Sequence, residues 1–210
     1  MTSGAQAVPT AHPTYPIDVR FDREQRVSRL WGIPIVGLVV RYILLIPHLI
    51  VLALYGIVVG IVLLVAWIPV LLTGRFASWG YDIVGGYMRW YTRVVAYSIC
   101  MVGPYPPFST APGYPVEVDF DRSTRVDRLW GIPILGILVR SLLVIPHLIV
   151  LWILAIVVGF ISWFLWIPVL IYGRFPQLGY DLVGGYIRMI TRVSGWVLCM
   201  AGPYPPFGLS

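Results

Sequence analysis

Long apolar runs dominate the chain, and the first extends from residue 32 to residue 73 with only Arg41 and His48 as ionisable interruptions. The part after Pro47 is about 26 residues long, or about 39 Å as an α-helix, which is enough to cross a hydrocarbon core of roughly 30 Å. Pro47 should kink or end the helix before it, because proline lacks a backbone N–H and clashes with the preceding turn. The preferred prediction for residues 32–73 is therefore a helical hairpin or two unequal membrane helices.

A further helix is predicted from Trp79 to Met101, where polar and small residues recur at spacings of three and four on an otherwise apolar helix. Such a helix either lies in the membrane interface or packs its polar stripe against another helix, and the interface is the preferred location. The alternative has one span over 48–73 and another over 81–100, which would bury Arg89 in the bilayer at a cost of about 3 kcal/mol or more. The stripe consists of Asp82, Gly85, Gly86, Arg89, Arg93 and Ala96.

The whole pattern occurs twice. Tyr15–Phe108 aligns with Tyr114–Phe207 at a constant offset of 99 residues, without a gap, and 57 of the 94 aligned positions are identical. This identity indicates a tandem duplication, with an N-terminal tail (1–14), two membrane modules (15–108 and 114–207) and a linker (109–113). Each module opens with a short half-buried strand in which apolar and charged residues alternate. The two strands are expected to pair with each other or with neighbouring segments.

Composition limits the class of protein. Of the 210 residues, 59% are hydrophobic and 11% charged, and the mean hydropathy is +0.84, whereas an average soluble domain is roughly 25% charged. These values exclude an ordinary soluble enzyme, a disordered tail and a disulfide scaffold, and they predict an all-α integral membrane protein apart from the short strands. The net charge of +6 is the difference between 15 arginines and nine acidic residues, and the chain contains no lysine. It favours anionic lipid headgroups as partners and does not argue for nucleic acid, because the arginines alternate with very apolar segments.

Arginine placement predicts how the modules are oriented. Seven of the eight arginines of the first copy recur in the second, and only Arg20 is replaced, by Asp119. Because arginine favours the cytoplasmic side, both copies should face the same way, related by a rotation about an axis near the membrane normal. The prediction is a multi-pass protein of the cell membrane with an even number of crossings in each module.

Four short motifs carry a resemblance to a known family. They are Ile46-Pro-His48, Leu72-Thr-Gly-Arg-Phe76, Arg89 with Arg93, and Tyr105-Pro-Pro-Phe108. On these motifs the chain resembles, once per module, the bacterial and archaeal membrane proteins grouped as domain of unknown function 4389. The resemblance implies a membrane location and tandem modules, but it implies no activity, cofactor or catalytic residue.

His48 and His147 are the candidates for cofactor chemistry, because each follows a proline inside an apolar run. The functional interpretation is a haem or metal ligand or a proton relay, with the two rings meeting at a twofold-like axis. The structural interpretation is a neutral histidine that donates to a carbonyl freed by the proline. No His-x-x-x-His or Cys-x-x-Cys spacing supports a ligand site, so the structural interpretation is preferred and no cofactor or metal is predicted.

Two arginines lie inside the apolar runs. Arg41 and Arg140 are expected to form structural ion pairs with Asp82 and Asp181, the acidic residues most distant from the strand segments. Contact with a lipid phosphate or a substrate anion is the alternative.

Six further arginines are candidates for contact with lipid headgroups or a protein partner. Two follow the glycine at the end of a long helix and are expected to be helix C-terminal charges at the interface. The other four belong to the polar stripes and should face protein or headgroups. The six are Arg75, Arg174, Arg89, Arg93, Arg188 and Arg192.

Enzyme signatures are missing from the sequence: it contains no Gly-x-Ser-x-Gly, His-Glu-x-x-His, Walker or dinucleotide-binding motif. We therefore expect a non-enzymatic integral membrane protein, a scaffold or accessory subunit of a larger membrane complex that contacts other membrane-protein subunits. The alternatives are a small transporter or channel, since parallel repeats build transporters, and a membrane haem or redox protein that uses His48 and His147.

Overall fold

The computed structural model describes residues 15–209. This part of the chain is mostly helical and contains one two-stranded sheet. A 3-10 helix precedes each apolar run, at Arg29–Gly32 and Arg128–Gly131, and a π-helical segment, Tyr81–Gly85, joins α2 to α3. The strands and α-helices are β1 Ile17–Phe21, α1 Val36–Thr73, α2 Ser78–Gly80, α3 Gly86–Ser98, β2 Val116–Phe120, α4 Leu135–Leu143, α5 Ile145–Ser162, α6 Trp166–Tyr172 and α7 Gln177–Val197.

The first apolar run forms one continuous helix, so the predicted hairpin is wrong. Helix α1 continues through Pro47 and Pro69 for 38 residues, or about 57 Å. Proline weakens the preceding turn, and the Tyr105 hydroxyl stabilises that turn by donating to the carbonyl of Leu44 at 2.8 Å. In the second copy the same run is divided into α4, α5 and α6. By length and composition, α1 and the helical stretch Ile145–Tyr172 could each cross a membrane.

The two copies interlock through their N-terminal segments. Strands β1 and β2 pair antiparallel with Val19 opposite Val118, which are equivalent positions, so the register of the sheet is symmetric about this pair. Strand β1 packs on α7 and β2 packs on α3, which places each strand on a helix of the other copy. The predicted module boundaries follow the repeat, whereas the packing units combine segments of both copies.

The two 3-10 helices are exchanged in the same way. A Cβ atom at Gly32 would lie 2.5 Å from the backbone nitrogen of Leu170 in α6, and one at Gly131 would lie 2.4 Å from that of Leu71 in α1. These close approaches require glycine, because any side chain would collide with the neighbouring backbone. Glycine at both positions therefore lets each copy's entry segment reach the far end of the other copy's apolar helices.

Helices α3 and α7 lie between the sheet and the apolar helices, and the location of the Trp79–Met101 helix in the membrane interface stays a prediction. Helix α3 contacts β2 on one side and α1 on the other, and α7 contacts β1 and α5. Helix α1 buries one narrow face along its whole length, from Gly37 to Val70, and exposes the rest. Leu64, for example, is 73% exposed. The result is a charged sheet on one side and apolar helices on the other.

Candidate functional site

The arginines of the polar stripes bind the backbone of the sheet. The Nε atom of Arg89 donates to the carbonyl of Val118 at 2.8 Å, and the Nε atom of Arg188 donates to the carbonyl of Val19 at 2.9 Å. Burial lowers the pKa of both guanidinium groups from the usual value of arginine. The two contacts are equivalent in the two copies and hold each strand against the helix of the other copy.

The second pair of stripe arginines adds ionic contacts to the same arrangement. Arg93 places Nη2 3.1 Å from both carboxylate oxygens of Glu117 and donates to the carbonyl of Ser109 at 3.0 Å. Its counterpart, Arg192, makes a weaker contact at 3.5 Å with Asp18. The stripe therefore faces protein, and the partner is a strand where the sequence analysis considered a second helix.

Asp82 and Asp181 form ion pairs, but with partners that the sequence analysis did not predict. Asp82 lies 2.6 Å from Arg122, and Asp181 lies 2.8 Å from Arg23. Both pairs join the two copies and are largely exposed, so each contributes about 0–1 kcal/mol. The predicted pairing with Arg41 is wrong, because Arg41 is fully buried whereas Asp82 is exposed and pairs with Arg122.

Arg41 and Arg140 are instead fully buried among aromatic rings. Arg41 donates to the carbonyl of Tyr97 near the end of α3, and its guanidinium carbon lies 4.3 Å from the Tyr97 ring and 4.7 Å from the Trp31 ring. Arg140 makes the equivalent contacts with Trp196 and Trp130. A cation is favourable at a helix C-terminus and also between two aromatic faces. Arg41 therefore ties α1 to α3, and Arg140 ties α4 to α7.

Each histidine is enclosed by the Tyr-Pro-Pro-Phe motif at the end of its own copy. The Nδ1 atom of His48 accepts a hydrogen bond from Nε1 of Trp90 at 3.0 Å, and the imidazole stacks on Phe108 at 3.8 Å. Because Nδ1 is an acceptor, the arrangement assigns the proton of neutral His48 to Nε2.

His147 repeats the arrangement with different partners. Its Nε2 atom lies 3.0 Å from the carbonyl of Pro205, and its Nδ1 atom lies 2.9 Å from the Tyr204 hydroxyl. The ring therefore binds the closing loop, and the tyrosine hydroxyl binds the turn before the proline, at Leu143. Each histidine ring contacts residues of its own copy, and no ring contact joins His48 to His147 in the described part of the chain. Within residues 15–209, no group of three His, Cys, Asp or Glu side chains could hold a metal ion.

Two equivalent arginine pockets lie at the ends of the apolar helices. Pocket A combines Arg75 with Arg125 and Arg128 and has a volume of about 530 Å³. Pocket B has a volume of about 760 Å³. Its arginines are the equivalents of those in pocket A, and they are Arg174, Arg26 and Arg29.

Each pocket is built from both copies around a helix end. Gly74 ends α1 in the left-handed conformation, with φ of 67°, and its carbonyl accepts a hydrogen bond from the backbone N–H of Val126 at 2.8 Å. The equivalent bond joins Val27 to Gly173 at 2.9 Å in pocket B. Arg75 and Arg174 are predicted contact residues, but the sequence did not predict the four arginines that come from the other copy. Their repeated i, i+3 spacing was visible, whereas the exchange of segments was not.

Comparison with known proteins identifies the family alone. The model of the family described as Domain of unknown function (DUF4389) matches residues 36–110 and 135–208. No curated protein and no solved structure matches the chain.

Proposed function

The chain belongs to the DUF4389 family, whose description gives no activity, and from the geometry of its own residues we propose that it is a non-enzymatic membrane scaffold. In this proposal the apolar helices lie in the plane of the membrane, and the sheet faces the aqueous side, where partner proteins can bind. The observation that carries the proposal is the separation of the apolar helices from the charged sheet by α3 and α7.

An orientation in the membrane plane follows from the contacts of α1. Along its first half, α1 packs against α3, which carries β2 on its other side. Near its end, Leu71 meets the 3-10 helix Arg128–Gly131. Because α1 is attached to the polar part of the protein along its whole length, it cannot cross a bilayer unless the polar part enters the bilayer with it.

Length supports the same orientation. A straight helix of 38 residues is about 57 Å long and would need a tilt of about 60° to fit a hydrocarbon core of roughly 30 Å, whereas membrane helices tilt by about 0–40°. Pocket A lies at the C-terminal end of α1 and pocket B lies where the 3-10 helix that precedes α1 begins, and both would have to remain at the level of the headgroups. An α1 that lies in the interface meets both requirements without tilting through the core.

The charged side of the sheet supports the scaffold role. Arg20 and Asp119 form an ion pair on the sheet, and their side chains are 61% and 48% exposed. Such a pair could not face lipid tails without a large desolvation cost, so it must face water or another protein. A multi-pass arrangement, the expectation from the sequence, would carry this pair to the depth of the hydrocarbon core.

Cysteine labelling tests the orientation. In a variant without the native cysteines, we would place one cysteine at Ser28, before α1, and in a second variant one at Ala77, after α1. After addition of the protein to preformed vesicles, an impermeant maleimide should label both positions fully from outside. Protection of one position until the vesicles are permeabilised would mean that α1 crosses the bilayer. The equivalent positions Asp127 and Pro176 serve as matched controls in the second copy.

The scaffold role has its own test. A photo-crosslinking residue at Arg20 in native membranes should give a discrete protein adduct, and the same residue at Ile61, on the exposed apolar side of α1, should give lipid adducts. Equal yields of lipid adducts at both positions would contradict the proposal. The transporter and haem interpretations stay predictions, and the enclosed histidines add no support to the latter.

A further inference from the structure

Pockets A and B contain the arginines that the protein does not use to hold itself together. Nine arginines donate to a carbonyl or lie against a carboxylate, and they are Arg20, Arg23, Arg41, Arg89, Arg93, Arg122, Arg140, Arg188 and Arg192. The remaining six line the two pockets, and their side chains have no hydrogen-bond or ion-pair partner within residues 15–209. The division is complete: every arginine without such a partner belongs to one of the pockets.

The positive charge in each pocket exceeds the charge that would neutralise the C-terminus of the helix. The C-terminus of an α-helix carries a partial charge of about −0.5, which a single arginine would neutralise. Pocket B holds three arginines, and the backbones of Arg26 and Arg174 are paired directly. Like charges held opposite each other are destabilising. A net charge of about +2.5 at one helix end therefore makes the pocket attractive to an anion.

We infer that pockets A and B each bind a phosphate group, and that a phospholipid headgroup supplies it. This inference rests on the proposed location of the apolar helices in the membrane interface. Guanidinium groups bind phosphate oxygens in pairs through parallel N–H donors, so three arginines around one concave site suit a phosphate better than a carboxylate.

The surroundings of pocket B favour a lipid over free phosphate. An apolar groove of about 310 Å³ is lined by Trp31 of the first 3-10 helix and by Leu165 and Trp166 at the start of α6. Pocket B is lined by Arg29, at the start of the same 3-10 helix, and by Tyr172, at the end of α6. A phosphate in the pocket would thus have an apolar channel beside it, as a headgroup with an attached acyl chain requires.

The two pockets are equivalent in position but not in charge. Asp127 lines pocket A, and Ser28 occupies the corresponding position in pocket B. One carboxylate lowers the net charge of pocket A to about +1.5 on the same count. Pocket B should therefore bind phosphate more tightly than pocket A.

Vesicle binding tests the inference with a charge-matched control. The first variant carries Arg26→Gln, Arg29→Gln and Arg174→Gln in pocket B. The control carries Arg20→Gln, Arg23→Gln and Arg122→Gln, which removes the same charge from the sheet and the segments that follow its strands. At about five-fold for each arginine, the first variant should bind vesicles of phosphatidylcholine with phosphatidylglycerol about 100-fold more weakly than the natural protein. The control should lose ten-fold or less, and binding of both variants to phosphatidylcholine alone should be unchanged.

A second arm separates the two sources of phosphate. Binding of inorganic phosphate to the protein in neutral detergent micelles is measured for the same two variants. If pocket B loses phosphate binding while the vesicle arm shows no difference, the site binds free phosphate and the lipid assignment is overturned. If the two variants are equal in both arms, the pockets add only general surface charge and the whole inference is overturned. If the natural protein failed to bind vesicles of phosphatidylcholine alone, by contrast, this result would count against the in-plane anchoring and not against the pockets.

Discussion

The buried arginines and the pocket arginines are one residue type used in two opposite ways. Arg41 is fully buried between Trp31 and Tyr97, donates to a helix carbonyl and ties α1 to α3. Arg75, in pocket A, is exposed and its side chain has no hydrogen-bond or ion-pair partner within residues 15–209. The arginines therefore form two sets. One set stabilises the fold, and the other makes no side-chain hydrogen bond or ion pair within residues 15–209.

The largest effect should separate these two sets. Arg41→Ala removes a charge-assisted hydrogen bond and two cation–π contacts and leaves a cavity, so we expect it to lower the free energy of unfolding by about 3–5 kcal/mol. Arg75→Ala removes no such contact and should change the free energy of unfolding by less than about 0.5 kcal/mol. Denaturant titration in detergent micelles measures both. Similar losses for the two variants would remove the distinction on which the comparison rests.

Alkaline pH should weaken the contacts between the copies. The hydroxyl of Tyr81 donates to the carbonyl of Met200 at 2.7 Å, and burial, together with the charge of Asp121, raises the pKa of Tyr81 to about 12. Burial and the charge of Asp22 raise the pKa of Tyr180 to about 12 as well.

The direction of the pH effect follows from these raised values. The stability contributed by each neutral tyrosine is fully present below the unfolded pKa of about 10 and is lost as the pH rises toward 12, by about 2–3 kcal/mol for each residue. Thermal unfolding in micelles between pH 9 and 12 should show this decline. The variant with Tyr81→Phe and Tyr180→Phe should be less stable at neutral pH but decline less steeply, and an equally steep decline would contradict the assignment.

The two copies should differ in how strongly the stripe arginines are coupled to the sheet. Arg93 lies 3.1 Å from both oxygens of Glu117 and is buried, so a double-mutant cycle with Arg93→Gln and Glu117→Gln should give a coupling energy of about 1–2 kcal/mol. Arg192 and Asp18, 3.5 Å apart, should give about 0.5 kcal/mol. A larger coupling in the second copy would reverse the order that the distances predict.

The smallest effect should come from the charge difference between the pockets. Asp127→Ser makes pocket A resemble pocket B and should strengthen binding to vesicles that contain phosphatidylglycerol by about five-fold. Ser28→Asp should weaken that binding by a similar factor. Flotation at several salt concentrations measures both changes, which should shrink as salt screens the charges. If both variants bind like the natural protein, the carboxylate does not act on the pocket.

Local patterns predicted much of the architecture. The duplication follows from the constant offset of 99 residues. The strands and the helix that carries Arg89 and Arg93 follow from spacings of two, three and four residues, which depend on backbone geometry alone. The same reasoning failed at Pro47, where α1 continues, although the second copy, with the equivalent tyrosine contact, divides at Val144.

The exchange between copies could not be predicted, and this explains the errors at the sites. The two copies are identical at most of the contact positions, so one sequence is compatible with packing within a copy or between copies. Asp82 was expected to pair with Arg41, but Arg122 reaches it from the segment that follows β2. For the same reason the sequence did not reveal that Arg75 shares a pocket with arginines of the second copy.

The orientation of the helices in the membrane decides the central claim, and oriented circular dichroism of the natural protein in aligned bilayers measures it directly. Helices α3 and α7 lie along α1 and α5, so nearly all of the helical signal should report one common direction. The account predicts the spectrum of helices parallel to the membrane plane, with a strong short-wavelength negative band. A spectrum in which that band is lost, as for helices along the membrane normal, would contradict it.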